Sequence, residues 1–230
     1  MKLVLFDIDG TMLKSEGVGR ASMESALAHV FGSPGNPEYR YDGKTDKQIV
    51  REAMKNVGHA DEIIDERMNV VMDHYVGGLE ERIGSGKFKV RTLPGVPELL
   101  DALEQRDDVI LGLLTGNIVE GARRKLAAAG VDFARFRINA FGSDHEHRPK
   151  LPAIAQQRAK ESLGLDLPGD RIYVIGDTPA DIACGRELGA RAIAVATGHY
   201  SVDDLKAHDP FAVVQDLSQT DAVMEVIARA

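Results

Sequence analysis

Two periods of apolar and polar positions alternate along the 230 residues. Short apolar, β-branched runs recur at Leu3 to Ile8, Val109 to Leu114, Ile138 to Phe141, Ile172 to Ile175 and Ala192 to Ala196, with stretches of helical spacing between them. Strand-length runs alternating with helices predict βαβ units, hence an α/β core whose parallel sheet carries helices on both faces. Each run feeds a polar turn: Asp7-Ile8-Asp9-Gly10, Thr115-Gly116-Asn117, Gly142-Ser143-Asp144 and Gly176-Asp177-Thr178. Ligands of open α/β sheets bind beyond the carboxyl ends of the strands, so these turns are expected to converge on one site.

From about Lys14 to Val90 the alternation stops. Amphipathic helices are predicted at Gly19 to Phe31, Thr45 to Asn56 and Ala60 to Gly77, with Gly77-Gly78 and Gly84-Ser85-Gly86 expected as boundaries. This divides the chain into a core of residues 1–13 and 91–230 and a helical insert of residues 14–90. An insert directly after the first strand would cover the catalytic edge like a lid. The alternative is one mixed domain without relative motion.

Charge and cysteine narrow the class of partner. A net charge of -8 without a dense Lys/Arg block argues against a nucleic-acid surface. No apolar stretch approaches the roughly 20 residues of a membrane span, and the first run reaches Asp7 too soon for a signal peptide. The single cysteine, Cys184, forms no internal disulfide and suits packing in a reducing compartment. A soluble cytoplasmic protein with a small-molecule partner is expected, as a monomer or a homodimer.

The first turn carries the strongest chemistry. Residues two apart on a strand point the same way, so Asp7 and Asp9 are expected to project into one crevice where the strand ends. Two carboxylates at that spacing repel, and a cation offsets the repulsion; all-oxygen ligation suits Mg2+. The plain structural alternative is a buried strand closed by an Asp-Gly turn.

Asp7-Ile8-Asp9-Gly10-Thr11 resembles the first motif of the haloacid dehalogenase-like hydrolases, most of which are phosphatases, and further motifs follow in the family's order. The resemblance implies a Rossmann-like core with an inserted helical cap. It makes Asp7 the nucleophile that becomes an aspartyl phosphate, and Asp9 the acid that protonates the leaving group and then activates water. The chemistry agrees, since a carboxylate is a weak nucleophile whose charge a metal offsets.

Leu113-Leu114-Thr115-Gly116-Asn117 resembles the second motif, in which the Thr115 hydroxyl and the following backbone N–H bind the phosphoryl group, although Thr-Gly-Asn is also an ordinary turn. Gly176-Asp177-Thr178-Pro179-Ala180-Asp181 resembles the fourth. It implies that Asp177 binds Mg2+ with Asp7 and the Asp9 backbone carbonyl, and that Asp181 stands behind it; Asp181 also suits a helix N-terminus. At the third motif relatives place a Lys before Pro, where this chain reads His147-Arg148-Pro149-Lys150. Aligning on the first proline puts Arg148 in the cationic position, with Lys150 as competitor.

In the insert, Gly43-Lys44-Thr45-Asp46 resembles a substrate-facing loop of phosphoglycolate-phosphatase-like members, so Gly43 and Lys44 become cap contacts to substrate. Its alternative is a capped helix start. Ala194 to Ser201 also resembles that subgroup, and the likeness covers nearly the whole chain. His145, His147 and His199 lack the further ligands that zinc would need.

The function implied is Mg2+-dependent hydrolysis of a small phosphorylated metabolite, with phosphoglycolate the first candidate. Asp9 argues against dehalogenation, whose leaving group needs no proton. A phosphomutase or phosphonate hydrolase of the same superfamily, or a non-catalytic binding protein on the same fold, are the competing readings.

Overall fold

The computed structural model describes residues 1–228. In chain order its elements are β1 (Lys2–Phe6), β2 (Leu13–Lys14), α1 (Val18–Phe31), α2 (Asp46–Asn56), α3 (Asp61–Gly84), β3 (Arg91–Thr92) and α4 (Val96–Glu104). Then follow β4 (Val109–Thr115), α5 (Val119–Ala128), β5 (Ile138–Phe141), α6 (Leu151–Leu163), β6 (Ile172–Gly176) and α7 (Pro179–Cys184). The chain closes with β7 (Arg191–Val195), α8 (Val202–Lys206), β8 (Ala212–Val214) and α9 (Thr220–Ala228).

A six-stranded parallel sheet runs in the order β5-β4-β1-β6-β7-β8, and β2 pairs separately with β3. β1 is buried throughout, which is why it reads as an unbroken apolar run and not as an alternation. Successive side chains of β1 still part to opposite faces. Val4 and Phe6 join α4, α5 and α9 in one core through Leu99, Leu103, Ala122, Leu126, Val223 and Ile227. Leu3 and Leu5 pack on the other face with Leu151, Ala155 and Ala159 of α6.

The register Phe6↔Leu113 and Phe6↔Ile175 brings the carboxyl ends of β4, β1 and β6 level. From β1 the chain builds β4 and β5 on one side and then returns to build β6 to β8 on the other. Such a reversal of strand order opens a crevice at the carboxyl edge, and the motif turns lie there.

Helices α1 to α3 have an apolar core of their own, built from Met23, Leu27, Val50, Met54, Ile64, Val71, Tyr75 and Leu79. Ile118, at the amino end of α5, joins this cluster from the sheet side. Thr45 caps α2 by accepting from the Gln48 N–H, the role that its residue type favours.

Three sequence expectations shift. β1 ends at Phe6 and not at Ile8, because the chain turns back at once through Met12 and Leu13 N–H groups donating to the Ile8 carbonyl. Gly77-Gly78 bounds no helix: α3 runs on to Gly84, and a Cβ at Gly78 would stand 3.5 Å from Ser22 Cβ of α1. Tertiary packing here outweighs the roughly 1 kcal/mol that glycine costs a helix. A sixth core strand, Ala212–Val214, goes unpredicted because three residues at a sheet edge carry too little periodicity.

Candidate active site

Asp7 follows β1 directly, and its N–H donates to the Ile175 carbonyl at 2.9 Å, which anchors it between the ends of β1 and β6. Its carboxylate is buried and lies 3.3 Å from the Arg148 guanidinium. Arg148 also pairs with Asp181, and its Nε is buried without a hydrogen-bond partner among the described residues. Asp177 follows β6 and accepts from Thr11 Oγ1 at 2.9 Å. Carboxylate oxygens of Asp7, Asp177 and Asp181 come within 4.8 Å of one another.

Burial pushes Asp7 up to about 6; Arg148 opposes the rise and Asp181 adds to it. Asp177 is raised well above the usual carboxylate range by burial, then by Asp181 and Asp7. Fully ionised, three carboxylates against one guanidinium would leave two negative charges uncompensated, which one divalent cation would offset. The donor set is all oxygen, as Mg2+ requires. A Cβ at Gly10, whose φ is +81°, would stand 2.3 Å from Asp177 Oδ2, so only glycine leaves room there. Asp181 is otherwise engaged: Oδ1 takes Arg148, while Oδ2 accepts from Thr178 N at 2.9 Å and Thr178 Oγ1 at 2.6 Å in a capping box that starts α7.

Asp9 lines the same cavity as Asp7, yet its carboxylate has different partners. With β1 already ended, strand geometry does not align the pair. Asp9 Oδ1 accepts from Ser15 Oγ at 3.1 Å, and Oδ2 accepts from Asn117 Nδ2 at 2.9 Å and Lys125 Nζ at 2.6 Å. Burial works to raise Asp9, but Lys125 and these hydrogen bonds win and hold it below the usual range. Thr115, at the end of β4, is buried and accepts from Asn117 Nδ2 at 2.8 Å.

A cavity of about 690 Å³ opens over these groups, lined on its other side by the helical unit. The Gly43-to-Asp46 loop sits directly on the core: Asp46 N–H donates to the Gly116 carbonyl at 2.8 Å, and Thr45 Oγ1 to the Glu146 carbonyl at 2.6 Å. Gly43 has φ +70°, and a Cβ there would stand 2.5 Å from Ala180 Cβ. Lys44 lines the cavity, but its ammonium is 2.7 Å from Glu52 Oε2 and 2.8 Å from Tyr39 Oη, so it is not a free cation. Asp46 Oδ2 accepts from Ile118 N at 2.8 Å, and burial pushes Asp46 up to about 6.

The two competing cations differ plainly. Arg148 is buried beside Asp7, whereas Lys150 is exposed two residues later, where α6 begins. Of the histidines, His147 and His199 are exposed, and His145 accepts from the His147 N–H. Sequence reasoning missed Lys125. It lies three residues after buried Ala122 and one before buried Leu126, so helical spacing alone puts this lysine on the inward face of α5.

A parallel sheet with a buried carboxylate cluster at the carboxyl ends of β1 and β6 is the arrangement that the likeness to the haloacid dehalogenase-like hydrolases implies, and the comparisons point the same way. The HAD-hydrolase-like family model matches residues 147–220. Over 217 residues the chain is 27% identical to the N-acetylmuramic acid 6-phosphate phosphatase of Pseudomonas aeruginosa, covering 90% of this chain and 87% of that protein. It is 26% identical over 231 residues to the phosphoglycolate phosphatase of Rhodospirillum rubrum, covering 94% and 88%. Its fold matches the crystal structure of a hydrolase from Pseudomonas syringae with a TM-score of 0.74 at 20% identity over 99% of each chain. Among the described residues no helix is long and apolar enough to cross a membrane.

Proposed function

We propose that the protein is a cytoplasmic, Mg2+-dependent phosphatase that hydrolyses a small phosphorylated metabolite through an aspartyl phosphate on Asp7. One observation carries the reading: Asp7, Asp177 and Arg148, with Asp181 behind them, open into the cavity that Asp9 and Thr115 also line. The Asp7 and Asp177 carboxylates and the Asp9 backbone carbonyl would hold Mg2+. When bound, it supplies positive charge that offsets these carboxylates and polarises the phosphoryl oxygens.

The chain's own residues do the rest. An Asp7 oxygen attacks phosphorus as the bond to the leaving oxygen breaks, and Asp9, which must first take up a proton against the pull of Lys125, gives that proton to the leaving oxygen. The Asp9 carboxylate then takes a proton from water as the water attacks the aspartyl phosphate, which frees inorganic phosphate and restores both groups. Arg148 offsets charge on Asp7 and the phosphoryl group, and the Thr115 hydroxyl binds a phosphoryl oxygen.

We read residues 14–90 as a cap on a core of residues 1–13 and 91–230. The separate apolar cluster of α1 to α3 and the loop seated on Gly116 support that division. Gly43 and Lys44 line the substrate space, but a leaving group bearing a carboxylate must compete with Glu52 for the Lys44 ammonium. Phosphoglycolate, the substrate in the name of three relatives, therefore belongs in a screen beside sugar phosphates. The lone buried Cys184 supports a reducing compartment. The purified protein should release phosphate from 4-nitrophenyl phosphate with Mg2+, and EDTA should stop it until Mg2+ is restored. Equal release with and without the metal would overturn the metal assignment, and none under either condition the phosphatase itself.

A further inference from the structure

We propose that Lys125 is a positioning residue for the acid-base carboxylate of Asp9, holding it toward the leaving oxygen while the helical unit is seated on the core. The inference rests on the phosphatase reading, in which Asp9 protonates that oxygen. Lys125 comes from the buried side of α5, next to buried Leu126, and only 4% of its side chain is exposed. A buried ammonium persists only where it is paired, and this one is paired with a group that borders the reacting atoms. Its Nζ donates to Asp9 Oδ2 at 2.6 Å and to Asn117 Oδ1 at 2.7 Å, while Asn117 Nδ2 donates to the same Asp9 oxygen at 2.9 Å. The three side chains close a ring of hydrogen bonds that fixes the direction of the Asp9 carboxylate.

That ring compensates for what the backbone does not supply. Asp9 lies beyond the end of β1, where an isolated bridge to Leu13 is all that remains of strand pairing, so no continuous strand orients it. The ammonium is completed from the other side by the helical unit. A Cβ on Gly19 of α1 would stand 3.2 Å from Lys125 Nζ and 3.7 Å from the Tyr75 hydroxyl of α3, and that hydroxyl interacts with the ammonium. Asp46, at the start of α2, adds its charge to those acting on Lys125. Lys125 thus joins the acid-base group of the core to all three helices, and the alignment of Asp9 depends on the helices being in place.

The test separates positioning of an acid from general support of the fold. A nitrophenolate leaves without a proton, whereas an alkoxide needs one. The ratio kcat/KM covers events up to departure of the leaving group. It is measured on 4-nitrophenyl phosphate and on whichever of glycerol phosphate and 2-phosphoglycolate the parent turns over faster. Lys125→Met should lose at least about tenfold more on the alkyl ester than on the aryl ester, part of the roughly 10²-fold or more that a placed acid contributes. Gly19→Ala keeps the charge and improves helix propensity, but its methyl crowds the ammonium, so it should show a smaller loss in the same direction.

Equal losses on both esters, a change confined to KM, or a gain on the alkyl ester in folded Lys125→Met would overturn the proposal. If Lys125→Met does not fold, an unchanged alkyl-to-aryl ratio in Gly19→Ala overturns it. Failure of the phosphatase reading looks different, because the parent would then release phosphate from neither ester with Mg2+.

Discussion

Two groups of carboxylates share one cavity and differ in how they are compensated. At the ends of β1 and β6, Asp7, Asp177 and Asp181 share a single guanidinium, and burial raises both Asp7 and Asp177. Beneath the helices, the Lys125 ammonium pairs with Asp9 and its charge also acts on Asp46; Asp9 accepts besides from Ser15 and Asn117, Asp46 accepts from the Ile118 N–H, and Asp9 ends below its ordinary range. The first group is short of positive charge. The second nearly satisfies itself. On the proposed reading the cation and the anionic ester bind where charge is unbalanced, while the acid-base group is held by partners already in the fold.

The sharpest way to break that contrast is Asp7→Asn. Phosphatase activity should fall on the order of 10⁴-fold or more, since the amide is nearly isosteric but no nucleophile. In metal-free protein the same change should raise the melting temperature at neutral pH, because one of three crowded charges disappears. Retained turnover in a sequence-verified preparation free of deamidation would remove Asp7 as nucleophile, and a lower metal-free melting temperature would contradict the charge imbalance.

A second pair of variants tests which cation serves the first group. Arg148→Ala leaves Asp7 and Asp181 buried without their guanidinium and should cost on the order of 3 kcal/mol of stability, with about a hundredfold or more of activity. Lys150→Ala removes an exposed charge, and its effect on stability should stay within about 0.5 kcal/mol. Urea unfolding and initial rates on both variants decide the order. The reverse ranking would move the cationic role to Lys150.

The two groups were unequally legible in the sequence. Asp7, Thr115 and Asp177 each close an apolar run, so strand periodicity points to the edge where they gather. The helical character of the insert was legible for the same reason. Lys125 was not, because a charged residue within an amphipathic helix is normally taken for its solvated face, and only its spacing from Ala122 and Leu126 shows otherwise. The direction of Asp9 was equally hidden. Two residues of spacing carry directional information only inside a strand, and β1 stops at Phe6. Nor does residue type reveal that the Lys44 ammonium is taken up by Glu52, eight positions along the chain.

The smallest expected effect lies inside the second group, at the one member for which burial wins. Asp46 accepts from the Ile118 N–H and feels the charge of Lys125, yet burial still pushes it up to about 6, against about 3.9 for an unfolded aspartate. A carboxyl group raised in the folded state contributes stability that is fully present below its unfolded pKa and is lost as pH rises through its folded pKa. Asp46 should therefore cost the protein stability as pH climbs from about 4 to above 6. Asp46→Asn has no charge to bury and can still accept from Ile118 through its amide oxygen. Relative to the parent, this variant should gain about 1.4 kcal/mol between pH 5 and pH 8, whatever constant offset the lost attraction to Lys125 introduces. Asp7 titrates in the same window but is present in both proteins, so the difference between their urea-unfolding free energies isolates Asp46. Parallel profiles across that range would show that Asp46 is already compensated, and the second group would then be as self-sufficient at Asp46 as it is at Asp9.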